Sequence, residues 1–104
     1  MKLFLDSANL DEIKKAREWG LLDGVTTNPS LVSKEMAKGK GFKEVITEIL
    51  RETPGPVSIE VIATDYETML AQAMKISSLG SNAVVKLPLT LEGLNTTRSL
   101  RTRV

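Results

Sequence analysis

A lysine sits near the end of an apolar run, Asn82-Ala83-Val84-Val85-Lys86-Leu87-Pro88. The run reads as a buried β-strand. Side chains alternate across a strand, so Ala83, Val85 and Leu87 share one face and Val84 and Lys86 the other. An ammonium on an apolar strand is costly to bury without a partner. Burial therefore favours the free amine, which can attack a carbonyl and form a Schiff base. Taken alone, the more ordinary reading is a strand-end lysine that snorkels to solvent.

Three further polar residues sit in comparable places. Asp6 ends the run Lys2-Leu3-Phe4-Leu5-Asp6, Asn28 ends Gly24-Val25-Thr26-Thr27-Asn28, and Glu60 lies late in Val57-Ser58-Ile59-Glu60-Val61-Ile62. Two carboxylates beside a lysine can act as general acid and base, and an amide can orient an intermediate. Turn chemistry alone accounts for Asp6, before a turn, and Asn28, before Pro29. Apolar flanks make Glu60 and Lys86 harder to explain that way. The four together favour a functional site.

The elements that must position these residues follow from periodicity. Each run above reads as a strand with one largely apolar face and one polar face. On the polar faces lie Phe4 with Asp6, Thr26 with Asn28, Ser58 with Glu60 and Ile62, and Val84 with Lys86. Helical patterns separate the strands. Asn9 with Glu12 makes a capping box for a helix through Leu10, Ile13 and Ala16. Pro29 opens a short helix through Leu31 and Val32. Phe42, Val45, Ile46, Ile49 and Leu50 form the strongest apolar stripe. Thr64 with Glu67 makes a second capping box, before Met69, Leu70, Ala73 and Ile76. A last segment from Thr90 is weakly helical, with Gly93 inside it. Its basic end, Arg98 to Val104, reads as a solvated or frayed tail. Alternating strands and helices predict an α/β fold with a parallel sheet. Adjacent parallel strands bring Asp6, Asn28, Glu60 and Lys86 to one end of that sheet, where barrels of this type carry their active sites.

Composition narrows the chemistry. The chain has 104 residues, enough for one domain at most. Its 41% hydrophobic and 26% charged residues match an ordinary soluble globular composition. A net charge of +1 gives no argument for nucleic acid. The absence of cysteine removes disulfides and thiolate metal sites, and the absence of histidine removes the commonest general base. Acid–base work then falls to Asp, Glu, Lys, Tyr or the substrate, and no metal is expected. There is no Gly-rich dinucleotide fingerprint and no Walker loop, so no cofactor is expected either. No apolar run reaches membrane-spanning length and no signal peptide is evident, so a cytoplasmic location with no membrane partner is expected.

Four motifs in order, Phe4-Leu5-Asp6-Ser7-Ala8-Asn9, Gly24-Val25-Thr26-Thr27-Asn28-Pro29-Ser30-Leu31, Val57-Ser58-Ile59-Glu60-Val61 and Val84-Val85-Lys86-Leu87-Pro88, carry a family resemblance. The chain resembles the transaldolase family, in particular its short bacterial and archaeal branch, over residues 1 to about 95. The resemblance implies half of a (β/α)8 TIM barrel, four consecutive parallel βα units, as the N-terminal half, with residues 96–104 a divergent basic tail. It implies transfer of a dihydroxyacetone unit between sugar phosphates in pentose phosphate metabolism. Lys86 resembles the Schiff-base lysine and Asp6 the carboxylate that handles protons during carbon–carbon cleavage. Glu60 resembles the acid–base residue that works through a water. Asn28, with Thr26 beside it, resembles the amide that holds the lysine and substrate hydroxyls. Related fructose-6-phosphate aldolases carry glutamine where Glu60 stands, so glutamate favours the transaldolase branch. The family's phosphate-holding serine and arginine have no match here, and weak or absent turnover is expected. Two alternatives are fructose-6-phosphate aldolase-like activity and a non-catalytic half-barrel. An open half-barrel has two free strand edges, and a homodimer or larger homo-oligomer is expected.

Overall fold

A computed structural model describes residues 1–102. Arg103 and Val104, the end of the proposed tail, lie outside the described residues. The chain runs β1 (Phe4–Asp6), α1 (Leu10–Glu18), β2 (Gly24–Thr26), α2 (Pro29–Met36), α3 (Phe42–Glu52), β3 (Val57–Glu60), α4 (Tyr66–Ser77), β4 (Ala83–Lys86), α5 (Leu91–Leu100). The strands form one parallel sheet in the order β1-β2-β3-β4. The fold is α/β and consistent with half of a barrel, and the sheet is not closed. Its strands are shorter than the apolar runs suggest. Lys2, Leu3 and Ile62 fall outside them, because ladder pairing ends before the apolar patterns do.

The alternation of side chains decides what the helices cover. Val25, Val57, Ile59 and Val61 point to the helix side and are buried. They pack with Ile13, Val45, Ile46, Ile49, Met69, Ala73 and Ile76 in one core. Burying an isoleucine fully contributes about 1.5–3 kcal/mol, so the four-residue stripe of α3 anchors that helix. Among the described residues no layer covers the opposite, inner face. Phe4, Ile62 and Val84 are 46%, 64% and 44% exposed there. Phe4 does find one neighbour: its ring lies against Gly24, where an added Cβ would meet ring carbon Cε2 at 2.4 Å.

The helix starts follow capping chemistry, with two departures from the sequence reading. Asn9 Oδ1 accepts from the Glu12 amide at 3.0 Å as expected. The Glu12 carboxylate, however, accepts from Ser7 Oγ at 2.8 Å, and Ser7 Oγ accepts from the Asn9 amide at 3.0 Å. Ser7 thus relays the second half of the box. For α4 the cap is Asp65, which accepts from the Thr68 amide at 2.9 Å, and Thr64 is not the cap. That donated hydrogen bond holds the Asp65 carboxyl below the usual carboxylate range.

The last segment is a regular helix. Thr90 caps α5 by accepting from the Gly93 amide at 3.0 Å. Thr96 and Leu100 are buried, α5 packs on α4, and Tyr66 Oη lies 2.6 Å from Ser99 Oγ. Residues up to Leu100 are therefore packed helix, where the sequence reading expected a solvated tail. Gly93 is required by a close approach: a Cβ at that position would lie 1.9 Å from the Pro88 carbonyl oxygen.

Candidate active site

The register of the sheet builds the inner face in rows. Asp6 pairs with Thr26, Thr26 with Ser58, and Ser58 with Val84. One row therefore reads Asp6, Thr26, Ser58, Val84 from edge to edge. In the next row towards the C-terminal ends, Glu60 pairs directly with Lys86. Asn28 belongs to the same level, two residues beyond Thr26. The ladder continues past β2 and β3 through Thr27 N–H donating to Ser58 O at 3.0 Å and Val61 N–H donating to Lys86 O at 3.3 Å.

Each polar side chain is held differently. Thr26 Oγ1 donates to Asp6 Oδ1 at 2.9 Å, which fixes one carboxylate oxygen and leaves the other free. Asn28 uses Oδ1 to cap α2, accepting from the Leu31 amide at 2.9 Å. Its NH2 group remains as the donor it can offer across the inner face. Glu60 is half-buried on β3, and its neighbour Lys86 is exposed. Among the described residues neither forms an ion pair within 4.0 Å.

The expectation of a buried strand therefore fails for β4, and Lys86 faces solvent as the ordinary strand-end reading has it. Ala83 and Val85, on the helix side of β4, are half-buried, whereas Val84 and Lys86 are exposed. Among the described residues β4 is an edge strand of an open sheet, and no opposite wall excludes water from its inner face.

Glu60 and Lys86 are brought side by side, and so are Asp6 and Thr26. Asp6 and Lys86 stand on opposite edge strands. Three inter-strand steps of about 4.8 Å separate those strands. Ser58 was not among the sequence candidates. It is half-buried between Thr26 and Val84 on the inner row. The period-two reading had already placed it on the polar face, but a serine away from the strand end gave no further signal. Among the described residues no cluster of three or more acidic side chains could hold a metal ion. No helix of these residues is long and apolar enough to cross a membrane.

The arrangement offers an amine with a carboxylate on the adjacent strand, an amide donor at the same level, and a hydroxyl-oriented carboxylate one row below. Amine plus carboxylate is the minimum set for forming and hydrolysing an imine.

The family model described as Transaldolase/Fructose-6-phosphate aldolase matches residues 3–103. That match continues past Asn95 into α5. A protein named probable transaldolase from Thermoplasma acidophilum is 54% identical over 100 residues, which is 96% of this chain and 45% of that protein. One of the same name from Aquifex aeolicus is 56% identical over 94 residues, 90% of this chain and 42% of its own length. A third, from Anaeromyxobacter dehalogenans, is 53% identical over 100 residues, 96% of this chain and 45% of that protein. The chain thus spans a little under half the length of these relatives.

Proposed function

The chain belongs to the transaldolase/fructose-6-phosphate aldolase family, and we propose that it carries that family's Schiff-base chemistry on the inner face of its sheet. Lys86 Nζ, as the free amine, attacks the ketone carbon of a dihydroxyacetone-type sugar or sugar phosphate. A carbinolamine forms and loses water to give the imine. Glu60, on the adjacent strand, supplies the proton for the departing hydroxyl through a water and takes it back on hydrolysis. Asp6 accepts the proton of the substrate hydroxyl as the carbon–carbon bond breaks, and its free oxygen leaves room for that role. The electron pair of the broken bond passes into the imine as an enamine, which then attacks an acceptor aldehyde. Asn28 donates to substrate hydroxyls, and Thr26 orients Asp6. The observation that carries this reading is the register that pairs Glu60 directly with Lys86 on the polar face.

Glutamate at position 60 supports dihydroxyacetone transfer between sugar phosphates over simple aldol cleavage. Binding and positioning can contribute about 7–11 kcal/mol of rate acceleration. The family's phosphate-holding serine and arginine have no match among these residues, so their own turnover should be weak or absent. Incubation with dihydroxyacetone, reduction with borohydride and weighing of the protein test the reading. An adduct that disappears in Lys86→Met supports it. An undiminished adduct in that variant moves the chemistry to another lysine.

A second reading is self-association, favoured by the exposed Phe4, Ile62 and Val84 and by the two edge strands that pair on one side only. A second copy would cover that surface, and the two readings are compatible.

A further inference from the structure

On the outer side of the sheet, α3 packs against α1 and α2, and α4 packs against α5, but α3 and α4 make no comparable contact with each other. Between them lies a cavity of about 360 Å3. Small-molecule pockets span about 300–1,000 Å3, so this one falls within range. Its walls are apolar: Phe42 from α3, Val61 and Ile62 after β3, and Ile76 and Leu79 from α4 and its end. Glu60 and Ile62, at and just after the C-terminal end of β3, also reach its lining.

The polar lining is biased towards donors. Gln72 accepts from the Ile62 and Ala63 amides, both at 3.0 Å, through Oε1. Two backbone donors on one oxygen fix the orientation of the side chain. What Gln72 has left to offer a ligand is its NH2 group, a donor. Lys43 and Lys75 also line the cavity, and among the described residues neither forms an ion pair. Lys40 nearby is different, being tied to Glu48 at 3.0 Å. Among the described residues Glu60 is the only carboxylate in the lining. Two lysines against one carboxylate leave the lining net positive.

We propose that the cavity between α3 and α4 binds a small monoanion with an apolar body, an aliphatic carboxylate. The aliphatic body covers Phe42, Ile76 and Leu79, and the carboxylate is received by Lys43, Lys75 and the Gln72 amide. The cavity shares Glu60 with the proposed lysine chemistry, but Lys86 is not in its lining, so Lys86→Met should leave it intact.

Sodium octanoate is the probe. Titration of the 15N-labelled chain should give saturable shifts at the Gln72 side-chain amide and at the backbone amides of Ile62 and Ile76. Octanol and octylammonium, which share the tail but not the anion, should give weaker shifts there. Both lysines are exposed, so Lys43→Gln/Lys75→Gln should fold normally by circular dichroism. It should also raise the octanoate Kd by about tenfold, the sum expected of two partly exposed charge contacts. Equal response to octanol, an undiminished response in the double variant, or no saturable shift at millimolar octanoate would each overturn the proposal.

Discussion

Asn82 ties together three segments that set the position of β4. Its side-chain NH2 donates to the carbonyls of Leu50, Thr53 and Gly55 at 3.1, 3.3 and 3.0 Å. Its own carbonyl accepts from the Val57 amide at 2.9 Å, which opens the β3–β4 ladder. Asn82→Ala removes both N–H donors and leaves the carbonyls at the end of α3 without this partner. At about 0.5–1.5 kcal/mol net per hydrogen bond, the loss should be about 1–3 kcal/mol. For a domain of this size each kcal/mol lowers Tm by roughly 4–8 °C. Asn82→Asp keeps the volume but turns a carboxylate towards carbonyl oxygens, so near neutral pH it should be less stable than Asn82→Ala. The introduced carboxyl can donate only when protonated. Its folded-state pKa is therefore raised, and its destabilising effect should shrink as pH falls towards about 4. Thermal unfolding by circular dichroism of both variants, near neutral pH and near pH 4, reads the difference. If Asn82→Asp matches the unaltered chain, or exceeds Asn82→Ala near neutral pH, the clamp is not what holds β4.

Gly93→Ala gains about 1 kcal/mol in helix propensity but sets a methyl 1.9 Å from the Pro88 carbonyl oxygen. Overpacking of about 1–3 kcal/mol should outweigh the gain, seen as a lower Tm and lost hydrogen-exchange protection in α5. The Asp65 carboxyl is held low by the Thr68 amide, so its contribution is present above the unfolded value of about 3.9 and is lost as pH falls through the lower folded value. Asp65→Asn should keep the cap and flatten that part of the acid unfolding curve. Light scattering at micromolar concentration should show a dimer or larger species for the 104-residue chain, and a well-folded monomer would refute self-association through the open face.

Period-two alternation was enough to place Asp6, Thr26, Asn28, Glu60 and Lys86 on one face, because each strand carries a largely apolar stripe opposite. The lysine's surroundings were not legible. Burial of Lys86 depends on what faces β4 across the sheet, and nothing within the strand reports that. Caps were read by residue type, which cannot choose between Thr64 and Asp65 when both stand before Tyr66. Gly93 weakened the helical pattern of α5 by propensity, yet it is what lets that helix approach Pro88. The cavity behind β3 depends on the spacing of α3 and α4. Each helix taken separately shows only an ordinary apolar stripe, so no sequence pattern marks the gap between them.

The central claim is that Lys86, beside Glu60, is the residue that bonds covalently to a ketone. Peptide mapping after dihydroxyacetone treatment and borohydride reduction tests it most directly. A single reduced adduct is expected on the peptide that contains Lys86, weakened by Glu60→Gln and absent in Lys86→Met. Adducts spread over the exposed lysines in proportion to their accessibility, with no preference for Lys86, would contradict it.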